Sequence, residues 1–110
     1  MIWRGDDRGS VVAEFAVALP AVVLVLVLGV GALSSSAQHV RLQDAVADAA
    51  RLAARGEPVE RVHAVVADAV AGASSSIEAR GDLVCVIGSA PSSGLPLTLT
   101  ASSCALAGGL

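Results

Sequence analysis

The sequence predicts an α+β protein: a long N-terminal helix able to cross a membrane and extend outward, a second amphipathic helix, and a small C-terminal antiparallel β-sheet or hairpin. Three observations predict it. The run from Phe15 to Leu33 holds no charged residue. An Ala/Arg-rich stretch follows at helical spacing, and beyond Gly56-Glu57-Pro58 comes a second apolar periodicity of the same kind. From Ser74 onward the pattern changes to short runs rich in β-branched residues, separated by turn-forming residues. With 110 residues the chain has room for one small domain. The mean hydropathy of +0.74 is high for a soluble domain, and the excess lies in the first third.

The apolar run sets the first element. A spanning helix needs roughly 20 apolar residues, and Phe15 to Leu33, extended backwards by Val11, Val12 and Ala13, meets that length. Pro20 lies inside it, where membrane helices tolerate proline, with a mild kink expected. Glu14 stands at the mouth of this run, and a carboxylate there is costly. The spanning segment is placed at 10–33 and its extension at 34–55, with 1–9 as a leader and 56–110 as a small outward-facing module. Arg4 and Arg8 before the span favour an N-terminus on the cytoplasmic side. No helix breaker occurs from Val40 to Arg55, so one rod from Ser10 to Arg55 would be about 69 Å long at roughly 1.5 Å per residue. Val40, Ala47, Ala50 and Ala54 mark its apolar stripe beyond the membrane, and the triplet Ser34–Ser36 permits a bend.

Gly56 is placed to cap that rod and Pro58 to open the next helix, expected from Val59 to Ala71. Val59, Val62, Val66 and Val70 give it one apolar face, which should pack back on the rod. Ser76–Arg80 reads as a weak strand and Leu83–Ile87 as a stronger one, with Gly81-Asp82 turning between them. Ser89–Gly94 reads as a loop. Leu95–Ala101 alternates as a third strand, with Pro96 requiring an edge position or a late start, and the tail after Cys104 should fray.

Composition excludes several function classes. Net charge is −3 and aromatic content 2%, so neither a basic patch nor a stacking platform points to direct nucleic-acid binding. His39 and His63, the only histidines, fall on separate helices and read as surface or boundary residues. No hydrolase, metalloprotease, phosphate-loop or dinucleotide motif is present, so no catalytic residue, metal or cofactor is expected. Cys85 and Cys104 are too few for a zinc site. They are compatible with one disulfide outside the membrane, or with two buried free thiols.

The stretches RGSVVAEFAVALP and QDAVADAARLAARGEP resemble the small TadE-like minor pilins of the tight-adherence (Tad) type IV pilus system, especially the short actinobacterial kind. The resemblance covers roughly the first half of the chain. It implies cleavage by a prepilin peptidase between Gly9 and Ser10, which would make Ser10, Glu14 and Phe15 residues +1, +5 and +6 of the mature protein. It also implies that Glu14 meets the N-terminal amine of a neighbouring subunit, and that the partners are the membrane, the peptidase, other pilin subunits and the Tad secretion platform. The major pilins of that system usually carry Tyr after the Glu, so Phe15 and the extra module point to a minor or accessory pilin. Competing readings are an ordinary signal-anchor, a secretory signal peptide cut after Ser35-Ser36-Ala37, and a secreted or membrane-tethered binding or effector module unrelated to pili.

Overall fold

The computed structural model describes residues 2–108, with side chains over 9–108. The first helix, α1, is Ile2–Ala54 and passes through both Pro20 and the serine triplet without interruption. It makes the molecule a rod with a head at one end, 85 × 21 × 17 Å. Over Gly9–Ala54 it has 46 residues and is long and apolar enough to cross a membrane. It is already helical across the segment assigned as leader; Met1 lies outside the described residues, as do the Arg4 and Arg8 side chains.

The end of α1 is chemically defined. Gly56 takes φ 81, Gly56 N–H donates to Ala53 O at 3.1 Å and Glu57 N–H to Leu52 O at 3.1 Å. Those two bonds satisfy otherwise orphaned carbonyls in the Schellman pattern, which needs a residue free to adopt the left-handed region. Pro58 then serves as N-cap of α2, Val59–Ala69, its carbonyl accepting from Arg61 and Val62. α2 stops two residues short of the expected Ala71, because Val70 turns extended (φ −136) and buries its side chain in the core.

Three strands complete the head: β1 Ser74–Arg80, β2 Leu83–Pro91 and β3 Thr98–Leu106, antiparallel in the order β1-β2-β3. Each is longer than, or shifted from, its sequence expectation. β2 takes in Ser89–Pro91, read above as loop, because as the central strand it pairs on both sides: Ser89 with Ser74 and with Thr100. β3 starts after Pro96, at Thr98, and continues past Cys104 to Leu106, paired with Leu83. The tail therefore does not fray at Cys104. Gly108 N–H donates to Ala54 O, tying the end of the sheet to the end of α1.

The core lies between α1, α2 and the inner face of the sheet. Leu42, Val46, Ala49 and Ala50 from α1 meet Val62, Val66 and Val70 from the second helix and Val86, Ala90 and Ala101 from the strands. The buried stripe of α1 thus runs through Leu42 and Val46. Val40, expected on it, is 60% exposed, and so is Val59 of the second helix at 54%. Gly88 is what lets the sheet close on the helices. A Cβ there would stand 2.7 Å from a Val46 methyl and 3.2 Å from Leu42.

Candidate assembly site on the first helix

Gly9, Ser10, Glu14 and Phe15 occupy consecutive turns of α1, and all four are exposed. Ser10 and Glu14 are four apart and so lie one above the other on one face, with Phe15 about 100° further round. The head makes its first close approach only at Gly31, so no other element covers this segment. Its apolar side chains stand fully outward: Val12 is 68% exposed, Phe15 64% and Val17 75%. Glu14 has no ion-pair partner among the described residues. Nothing lies within 4 Å of where a Cβ on Gly9 would sit, so packing gives no reason for glycine at a position where it weakens a helix. The chain therefore brings these four residues to one end of the rod, and the described residues supply no second wall for them.

Cys85 and Cys104, by contrast, are brought together. They are directly opposed in the β2–β3 register, with Cα atoms 4.0 Å apart and sulfurs at the bonding distance of 2.02 Å. The pair sits on the outer face of the sheet, opposite the face that packs on the helices. The carbonyls of Thr100 and Ser102 point away from β2 and accept from His39 Nε2 and Gln43 Nε2, both at 3.1 Å. Cys104 shares their parity, so it belongs to the closely spaced positions that exchange no ladder hydrogen bonds, where Cα atoms approach nearest. The same two helix side chains cover an edge that would otherwise be open to pairing with another chain. His39 is thus a boundary residue, as is His63, whose Nδ1 lies 2.6 Å from Ser75 Oγ.

A feature without a sequence expectation is the docking of the β2–β3 loop on α1. Ser35 hydrogen-bonds Ser92, Ser34 Oγ lies 3.3 Å from Ser93 Oγ, and Gln38 Oε1 accepts from Ser93 N–H at 2.8 Å. Gly31 lies against Gly94, where a Cβ on either residue would collide with the other's backbone. The first two serines of the triplet are therefore the seat of a loop. Its available signal was the small-residue spacing Gly31, Ser34, Ser35 on one helix face.

Two shallow grooves border the head. One of about 330 Å³ runs between Ser35, Ser36 and His39 of α1 and Thr98–Thr100 of the third strand. Another, of about 400 Å³, is lined by Arg41, Asp44, Asp48 and Asp68. Among the described residues no group of three or more His, Cys, Asp or Glu side chains converges as a metal site.

Fold and site define a class: a small α+β head carried on one exposed, apolar helix of membrane-spanning length. Within that class, residues 9–51 match the model of the TadE-like protein family. The matched segment begins at Gly9, includes Glu14 and Phe15, and ends three residues before the end of α1, so it falls entirely on the rod. No curated protein and no solved structure matches the chain. The family match and the helix together fit a protein related to the Tad pilus and single-pass membrane anchoring.

Proposed function

We propose that the chain is a membrane-anchored minor pilin or pseudopilin of the Tad system, a structural subunit with no catalytic role. A prepilin peptidase cuts it between Gly9 and Ser10 on the cytoplasmic side, and the head faces outward. The observation that carries this reading is the combination of the family match over 9–51 with a helix whose only charged residue between Gly9 and Gln38 is Glu14. An exposed apolar helix needs either lipid or other helices around it, and a pilin exchanges the first for the second. A carboxylate at apolar depth is costly unless paired, and the new amine of Ser10 on a neighbouring subunit is a partner that cleavage itself creates. The steric freedom around Gly9 supports the reading too, because a glycine unexplained by packing is accounted for by a protease that admits only a very small residue before the cut.

The test is Glu14→Ala in cells that make the major pilin. Insertion should persist, since a charge is removed from an apolar helix, while co-purification with the major pilin should fall. Co-assembly at the wild-type level would contradict the role given to Glu14. A protein that is never cleaved and never found with pilin subunits would favour the signal-anchored binding module instead.

A further inference from the structure

The tip of the β2–β3 hairpin, Ser92–Leu97, sits at the level where the apolar run of α1 ends. Its Gly94 is packed on Gly31, which precedes the last apolar residue of that run, Leu33. Leu95 reaches the same level, with a methyl 3.6 Å from where a Gly31 Cβ would be. Pro96 is exposed, and Leu97 is 55% exposed. From Leu83 to Leu110 the sequence contains no charged residue. A loop held beside the apolar end of a spanning helix, with Leu-Pro-Leu at its apex and no charge, matches a hydrocarbon boundary better than water.

The backbone makes the same point independently. Ser92 N–H donates to Leu97 O at 2.8 Å, and Leu97 N–H to Leu95 O at 2.8 Å. Ser93 N–H donates to Gln38 Oε1, and the amides of Gly94 and Leu95 both donate to Ser92 Oγ. Pro96 has no N–H. Every amide hydrogen of the loop therefore has a partner inside the protein. Water would satisfy those donors without help and lipid would not; of the loop's carbonyls, those of Leu95 and Leu97 accept within the protein.

We propose that Leu95, Pro96 and Leu97 insert into the leaflet on the head's side as a second, shallow anchor beside α1, with acyl chains as their occupant. The inference rests on the reading above that α1 spans the membrane. The seryl hydroxyls of Ser34, Ser35, Ser92 and Ser93 then lie near the headgroups, and two points of attachment fix the head's angle to the membrane where one helix alone would let it pivot.

Full-length protein carrying Trp3→Phe and one new tryptophan, reconstituted in phosphatidylcholine vesicles, tests it. Three positions are compared: Leu97→Trp at the tip, Leu106→Trp at the far end of the sheet, and Val23→Trp in mid-helix. Leu97→Trp should emit to the blue, be quenched by acyl chains brominated near the headgroup, and resist aqueous acrylamide. Leu106→Trp should show the reverse. Loss of bromine quenching at Leu97→Trp, with Val23→Trp still quenched by acyl chains brominated near their ends, would overturn the inference and leave the spanning helix intact. Loss at both would overturn the two together. A tip shielded from bromine and acrylamide alike would mean that protein covers it, which also contradicts the proposal.

Discussion

The first helix has two halves that obey opposite rules. From Val11 to Val30 every large apolar side chain is exposed around the whole circumference. From Gly31 to Ala54 only one stripe is buried, through Gly31, Ser35, Leu42, Ala45, Val46, Ala49, Ala50 and Ala54. The lower half finds no partners among the described residues; the upper half finds them in the second helix and the sheet. The difference separates two kinds of stability. Substitutions above Gly31 should change folding of the head, and substitutions below it should change insertion or assembly and leave the head alone.

Four variants sharpen that boundary. Leu42→Ala removes the largest fully buried side chain and leaves a cavity, so the head should lose about 2–5 kcal/mol. Denaturant unfolding in detergent micelles, followed by loss of sheet circular dichroism, would read it. Cys85→Ser with Cys104→Ser should cost roughly 3 kcal/mol by releasing a loop that spans a sequence separation of 19 residues, read as a lowered midpoint. Alkylation of unreduced wild-type protein should meanwhile modify no thiol; two modified thiols per chain would show that the bond is not made. Gly88→Ala pushes a methyl against Val46 and Leu42, with an expected cost of about 1–3 kcal/mol in the same titration. Val23→Ala, on the exposed half, should leave head stability within about 0.5 kcal/mol. A large effect of Val23→Ala on head unfolding would erase the boundary.

The head has little else to rely on. The only aromatic residues in the chain are Trp3 and Phe15, both outside it, so its core is built from one leucine, several valines and alanine. Small cores of this kind leave a domain near the lower size limit for standing alone, which gives the cross-strand disulfide and the docking on α1 their weight. The ion pairs add little by comparison: Asp48–Arg51 at 3.6 Å and Glu57–Arg61 at 3.4 Å are surface contacts.

The parts of the fold visible in the sequence were those with one dominant signal. An uncharged run gives the rod, Gly56 and Pro58 give its end, and Leu83–Ile87 gives the central strand. The stripe expected on α1 shares Ala50 and Ala54 with the buried one and departs from it at Val40, because alanine occurs on every side of that segment. Periodicity there depends on the few bulky residues, and Leu42 was the one that mattered. The end of β2 looked like a turn, since Gly88, Ser89 and Pro91 all favour turns in isolation. Long-range pairing on both edges overrode that preference, and Gly88 is needed for closeness to the helices rather than for bending. The pairing at the loop seat has no sequence signal of its own, because hydrogen bonds between serines 57 to 59 positions apart leave no local trace. On the candidate site the sequence motif remains the main guide: the structure adds that its residues are exposed, that they share one end of the rod, and that no described residue lies within 4 Å of a Cβ on Gly9.

The most direct measurement of the whole account is the N-terminal sequence of the protein extracted from membranes, with Gly9→Val beside the wild type. The account predicts a wild-type chain that begins at Ser10 and a variant that stays full length. A wild-type chain beginning at Met1, or near Gln38 after removal of the entire apolar run, would contradict it.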